Sequence, residues 1–582
     1  MPELLLSRRD VDFCLFEWLD TEQLLKSDAY ADLDRGTVNE ILALAERIAT
    51  DLFATHNHRN DAEEPTFDGT TVHIHDDVAP ALAAYYEAGL GGLAKPPDVG
   101  GMELPTTISQ VVGMWFSAAN AATSGYSFLT HANANLLLAH ASAEQIQMWV
   151  PPMVEGRYFG TMCLSEPHAG SSLSDITTTA ERQPDGTYLV RGNKMWISGG
   201  DHELSENIVH LVLARVPGAP AGVKGISLFI VPKYLPDGAP NDVSLAGLNH
   251  KMGQRGLTNC LLNFGEGEGA VGYLVGEENK GLAYMFHMMN EARIAVGSGA
   301  VAQGYSGYLH ALDYARNRPQ GRRVDAKDPL APMVPIVEHP DVRRMLLASK
   351  AYVEGGLALT LYCGMLVDEL QHGDDPQTAD HLLEFLTPIA KSWPSQWCLV
   401  ANDHAIQIHG GYGYTRDYLV EQLWRDNRLN SIHEGTHGIQ ALDLLGRKVT
   451  MNGGAALMAL AQRMQSTIER GLAEGGTPAT HAAALAPRLQ RMLEVTAGLW
   501  ADRDPRTALA DATTYLEAAG HVVVAWLWLD MEMAATGSDD FYAGKRTAAE
   551  YFFSRELPKV DAMFDVLAAQ DGLYLGLDES TL

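Results

Sequence analysis

Between Thr37 and about Val154, apolar residues return every three or four positions, as in "VNEILALAERIATDLFATH" and "ANANLLLAHASAEQIQMWV". That is the period of helices with one buried face. A Pro/Gly stretch, "LAKPPDVGGMELP", reads as a loop between two of them. After Gly156 the period shortens. "ITTTAERQPDGTYLVRGNKMWISGG" holds two strand-like runs joined across Asp185-Gly186, a hairpin signal. "NIVHLVLARV", "GISLFIVPKY" and "CLLNFGEGEGAVGYLVG" continue the strands to about Gly276. Helical spacing returns at "GLAYMFHMMNEARIAVGSGAVAQGYSGYLHALDYARNR" and lasts to Arg447, where a Gly-rich break, "TMNGGAALM", leads into an Ala- and Leu-rich tail. The pattern predicts a mainly α protein with a central β domain. Its parts are an N-terminal arm (1–35), a helical domain (36–157), a β domain (158–280), a helical bundle (281–450) and a helical extension (451–582).

Composition narrows the function classes. The 582 residues carry 42 Lys plus Arg against 73 Asp plus Glu, a formal charge of −31. Such a field repels nucleic acid and anionic membrane, so neither is expected as a partner, although a few arginines in a cleft can still hold an anionic ligand. The five cysteines lie far apart with no C-x-x-C, which fits a reducing, cytoplasmic setting. The longest clean apolar run, "VVVAWLWL" at 522–529, is far short of a membrane span.

One motif suggests a metal. "SIHEGTHGIQ" contains H-E-x-x-H, which on a helix puts two histidines on one face to hold zinc while the glutamate activates water. Gly435 and Thr436 are poor interior helix residues, however. Gln440 and Asp443 stand where a longer zinc motif needs Gly and a third His. No metal is therefore expected. "GSGAVA" at 297–302 fits a dinucleotide fingerprint on paper, but it follows a helical stretch rather than a strand, so its glycines are expected to serve close helix packing.

Three stretches are richer than packing requires. "MCLSEPHAGSSLSD" (162–175) gathers hydroxyls beside a Glu-Pro, and "KMWISGG" (194–200) places an indole just before a serine. "QIHGGYGYTRDYLVEQLWRDNRLNSIHEGTHGIQALDLLGRK" surrounds one glutamate with glycines, aromatics and Arg-Asp pairs. In this order they resemble the acyl-CoA dehydrogenase family of flavoproteins, over about residues 40–450. The arm and tail resemble its extended bacterial branch, which includes 3-methylmercaptopropionyl-CoA and broad-range fatty acyl-CoA dehydrogenases. The resemblance implies a helical domain, a β-barrel-like domain and a four-helix bundle, with FAD between sheet and bundle.

It also implies roles. Glu434 matches the base that takes the α-proton of an acyl-CoA while the β-hydride passes to flavin, giving a trans-2-enoyl-CoA. Leu164 and Ser165 match contacts to the flavin pyrimidine edge, Trp196 the indole against the ring system, and Ser198 the hydroxyl near its N5. Ser171, Asn290, Arg293 and Gly435 fall where the family meets substrate. Arg318 and Gln320 match the pair that reaches the FAD pyrophosphate of a neighbouring subunit. Gln407, Gly410 and Gly411 match an adenosine-side contact from a neighbour, and Thr436 a contact to FAD phosphate or ribose. A homodimer and an electron-transfer flavoprotein as electron acceptor follow from the same likeness. Rival readings are an acyl-CoA oxidase and a flavin-bearing DNA-binding relative. The chain departs from the family in Asn290 for an acid, His433 for a tyrosine, and Gly438 for a polar residue. His433 is expected to tune the acidic limb of the pH profile.

Overall fold

The computed structural model of the chain describes residues 4–328, 330–502 and 504–582, and only the backbone at 286–290. Two compact units emerge: Arg35–Ala292, and Met1–Asp34 together with Arg293–Leu582. The compositional boundary at 280/281 marks the start of the helix Gly281–Asn317, whereas the division between units falls within that helix.

In the first unit, helices Arg35–Ile48, Val78–Glu87, Thr106–Ala119, Ala121–His140 and Ala143–Val154 precede the main sheet. The last of these begins with a reciprocal cap, in which Ser142 Oγ accepts from the Gln145 N–H while the Gln145 side chain accepts from the Ser142 N–H. A short ribbon pairs β1 (Thr66–Phe67) with β2 (Val72–His73). The main sheet comprises β3 (Tyr158–Cys163), β4 (Thr179–Arg182), β5 (Tyr188–Ser198), β6 (Asn207–Arg215), β7 (Ile226–Pro232), β8 (Val243–Leu248), β9 (Asn259–Phe264) and β10 (Ala270–Leu274). Its order is β10-β7-β6-β4-β5-β9-β8, with β3 parallel to β6. Because β10 also pairs with β5, five strands close into a ring, giving a barrel-like domain. The Asp185-Gly186 hairpin joins β4 to β5 as the sequence predicts.

Strand β6 explains why "NIVHLVLARV" is apolar without alternation. Val209, Leu211 and Leu213 pack with Leu136, Leu137, Trp149 and Met153 from the helices. Val212 and Ala214 point the other way, into a second core with Val190, Leu262 and Phe264. A strand buried on both faces has no polar side to display.

The second unit is built on the helices Pro340–His372 and Pro376–His409 and on the C-terminal part of Gly281–Asn317. A Cβ at Gly297 would lie 1.9 Å from the Ala390 carbonyl oxygen, so two of these helices meet backbone to backbone at a glycine. That is the use expected of the "GSGAVA" glycines. The tail helices Ala455–Glu474, Gly476–Leu499 and Ala512–Ala534 share this core. Residues 522–529 are buried throughout, and Trp528 Nε1 donates to the Ala351 carbonyl at 3.3 Å.

The N-terminal arm is equally integral. Asp10 is buried, accepts from Tyr305 Oη at 2.7 Å and pairs with Lys545, which also meets Glu354 at 3.0 Å. Trp18 Nε1 donates to Asp530 Oδ2 at 2.9 Å. One buried ionic cluster thus ties together arm, bundle and tail. Among the described residues, no helix is long and apolar enough to cross a membrane.

Candidate active site

In the sheet unit, the loop after β3 is fixed by a carboxylate. Glu166 is buried and accepts five hydrogen bonds: from the N–H and hydroxyl of both Thr177 and Thr178, and from Lys194 Nζ at 3.0 Å. Burial pushes this carboxyl up, but Lys194 and the threonine donors more than offset it and leave it at about 2. Burial also pulls the Lys194 ammonium down, with Glu166 opposing. Lys194 Nζ donates to the Leu164 carbonyl at 3.0 Å, and the Met195 N–H donates to the Ser165 carbonyl at 3.0 Å. Leu164 and Ser165 are thereby locked beside the end of β5.

There the strand breaks register. A bulge between Lys194 and Ile197 puts Trp196 in left-handed backbone, φ 66°, with its indole 57% exposed. Such a conformation costs a non-glycine residue about 1–2 kcal/mol, and here it turns a large aromatic outward instead of into the core. Ser198 Oγ accepts from Asn259 Nδ2 at 3.1 Å. Ser171 is exposed on the loop after Glu166.

In the helical unit, Glu434 also has left-handed backbone, φ 52°, and Gly435 follows at φ 86°. Thr436 then caps the helix His437–Asp443. His433 and His437 therefore do not share a helix face, and the zinc geometry suggested by H-E-x-x-H is not formed. Gln440 Nε2 holds the turn by donating to the carbonyls of Glu434 (3.0 Å) and Gly435 (3.3 Å). Any side chain on Gly435 would meet that amide, since a Cβ there lies 2.5 Å from Gln440 Nε2.

Burial pushes the Glu434 carboxyl up, while Lys391 and Arg293 pull it back. Arg293 is buried and pairs with Asp443 at 2.8 Å. Lys391 is fully buried, and its Nζ has no hydrogen-bond partner among the described residues. Burial lowers this ammonium to about 7, with Glu434 opposing. The expectation for His433 requires correction. Burial, helped by Lys391, holds its ring at about 3, so it carries no charge beside the base near neutral pH.

Further along the same unit, a cavity of about 440 Å³ is lined by Tyr314, Arg318, Gln320, Gly410, Gly411 and Tyr412, among others. Gln407 lies one turn back, and its carbonyl accepts from the Gly410 N–H. Thr436 belongs to the Glu434 turn rather than to this cavity. Asn290 has a side chain outside the described residues.

The chain matches "Acyl-CoA dehydrogenase, N-terminal domain" over residues 39–157, "middle domain" over 161–266 and "C-terminal domain" over 279–449. The tail matches "Acetyl-CoA dehydrogenase C-terminal like" over 460–578. It is 36% identical to the 3-methylmercaptopropionyl-CoA dehydrogenase of Ruegeria pomeroyi, covering 95% of this chain and 96% of that one. The chain belongs to the acyl-CoA dehydrogenase family. A broad-specificity linear acyl-CoA dehydrogenase of Mycobacterium tuberculosis is 34% identical, with 98% of each chain covered. A Bacillus anthracis acyl-CoA dehydrogenase complexed with FAD shares the fold at TM-score 0.76 and 20% identity, over 98% of this chain and 93% of that one.

Membership brings FAD as cofactor and acyl-CoA dehydrogenation as reaction. The residues present fit such a cofactor: an outward indole on a strained bulge, and an open cavity bearing a guanidinium and two glycines. Sequence reading missed three polar residues that organise these sites. Glu166 and Lys194 are 28 residues apart, and nothing local announces their pairing. Lys391 left a faint signal, as the one charge between Glu384 and Asp403.

Proposed function

We propose that this acyl-CoA dehydrogenase oxidises a linear acyl-CoA thioester between Cα and Cβ to the trans-2-enoyl-CoA, with Glu434 as the base. The observation that carries the reading is the half-buried Glu434 carboxyl on its left-handed turn, raised by burial and flanked by two cations. A carboxyl shifted toward working pH is a stronger base than a solvated one.

The left-handed backbone also frees a donor. Among the described residues, none accepts the Glu434 N–H. Aimed at the thioester carbonyl, it would stabilise negative charge developing on that oxygen, an effect worth about 3–4 kcal/mol per donor in comparable sites. One Glu434 carboxylate oxygen takes the α-proton, and the pair of electrons left behind forms the new double bond. FAD, when bound, supplies the acceptor for the hydride leaving Cβ. Leu164, Ser165, Trp196 and Ser198 would hold the flavin ring, and Thr436 a phosphate or ribose of the same cofactor. Ser171, Arg293 and Gly435 would meet the acyl-CoA.

Arg318, Gln320, Gln407, Gly410 and Gly411 would reach the FAD of a second copy of the chain, which makes a homodimer the working form. The relatives' names support a linear acyl group, including a methylthio one, and family membership is what suggests an electron-transfer flavoprotein as the physiological acceptor. The test is a screen of acyl-CoAs of graded length, plus the methylthio thioester, with an artificial electron acceptor. Turnover confined to branched thioesters would refute the substrate class. Rapid reoxidation by oxygen after anaerobic reduction would make the enzyme an oxidase.

A further inference from the structure

The bundle encloses a charge that the reaction scheme leaves without a task. Lys391 is 0% exposed, and its Nζ finds no hydrogen-bond partner among the described residues. A buried ammonium in that condition is destabilising, and replacing buried charges by apolar groups is often neutral or favourable. Its location is set by tight packing. Gly297 brings the backbone of one helix against the Ala390 carbonyl, immediately before Lys391. The Ser395 hydroxyl donates to the Lys391 carbonyl at 2.5 Å, and the Ser431 hydroxyl donates to the Ser395 carbonyl at 3.1 Å. Ser431, three residues before Glu434, is thus tied to the Pro376–His409 helix one turn from Lys391.

We infer that Lys391 is a positioning residue for proton abstraction, its enclosed and unpartnered ammonium supplying the counter-charge that keeps the Glu434 carboxyl ionised before substrate enters. The inference rests on Glu434 being the base. Two cations act on this carboxyl, Arg293 and Lys391. Arg293 is already engaged by Asp443, whereas among the described residues no carboxylate hydrogen-bonds Lys391.

The remaining groups do not replace it. His433 is held at about 3 and His437 at about 4, mainly by burial, so both are neutral at working pH. Arg428 bears on His437, and Lys448, which bears on Arg293, is paired with Glu384. Glu517 from the tail lines a small cavity with His437 and Ser392. Without the Lys391 charge, Arg293 alone would oppose the upward push of burial on the Glu434 carboxyl.

The test compares substrate-free, FAD-loaded wild type with Lys391→Met and Lys391→Arg by infrared spectroscopy across pH. The protonated-carboxyl band that disappears in Glu434→Gln reports Glu434 directly. Loss of the cation raises the carboxyl's pKa, so the midpoint in Lys391→Met should rise by about 1 unit or more, and Lys391→Arg should stay near wild type. The acidic limb of flavin reduction should move up by the same amount, while the rate on the alkaline plateau changes little. Should Lys391→Met fail to fold, Lys391→Gln carries the same measurement. A midpoint identical in wild type and the uncharged variant overturns the inference. Undiminished flavin reduction in Glu434→Gln would instead overturn the assignment of the base, and so separates the two failures.

Discussion

Trp196 in the sheet unit and Glu434 in the helical unit both sit in left-handed backbone, φ 66° and 52°, yet their surroundings differ in kind. Beside Trp196, Glu166 is saturated with donors and Lys194 reaches both that carboxylate and the Leu164 carbonyl. Beside Glu434, the backbone turn is tied down by Gln440, but the carboxyl is influenced by Lys391, a lysine with no hydrogen-bond partner among the described residues. A satisfied polar network rigidifies; an unpaired buried charge is costly and shifts its titration toward working pH. The first region is built to hold a shape, the second to change protonation state.

The largest effect expected from breaking this comparison is at the base. Glu434→Gln keeps shape but removes the proton acceptor, so substrate-driven flavin bleaching in stopped flow should slow by about 10²–10⁴-fold with FAD still bound. His437→Ala should be far milder. Equal damage from the two would break the distinction between base and bystander.

Next comes the sheet-side latch. Glu166→Ala leaves Lys194 buried without its partner, which costs about 3–5 kcal/mol. The melting temperature and flavin retention should fall together, and the double variant Glu166→Leu/Lys194→Met should recover much of the former. The latch also predicts an acid sensitivity. With Glu166 at about 2, below its ordinary 4.5, its contribution is complete above pH 4.5 and is lost as pH falls toward 2. Acid unfolding followed by circular dichroism should lose this component in the double variant.

A smaller effect is expected at Gly435→Ala, where left-handed strain of about 1–2 kcal/mol adds to the contact with Gln440. Flavin reduction should drop more than the melting temperature does. The smallest effect sharpens the view of His433. Because its ring titrates at about 3, His433→Tyr should leave the acidic limb in place above about pH 5. A clear shift there would mean that the imidazole is charged in the working enzyme.

What the sequence made legible followed from local rules. Period-two alternation and Asp185-Gly186 located the β4–β5 hairpin, and the poor helix propensity of Gly435 and Thr436 signalled that H-E-x-x-H is not a helix. The order of motifs marked Glu434, Trp196 and Arg318. Partnerships formed by distant residues left no such trace. Glu166 pairs with Lys194 from 28 residues away, and Lys391 acts on Glu434 from the helix Pro376–His409. His433 misled because its ordinary titration range was assumed, whereas desolvation decides it. The arm and tail read as additions, but Asp10, Glu354 and Lys545 show them sharing one interior.

That buried cluster dictates an order of assembly. A ribosome delivers Asp10 and Trp18 early, but Trp18 bonds a residue 512 positions later, and Lys545 follows later still. Throughout synthesis the nascent helical unit therefore exposes an acidic, apolar seam that local pairing cannot close. Domains made of contiguous chain can fold as they emerge. The sheet unit, 35–292, meets that condition, whereas the helical unit must wait for its last helices and is the part that most needs protection by chaperones.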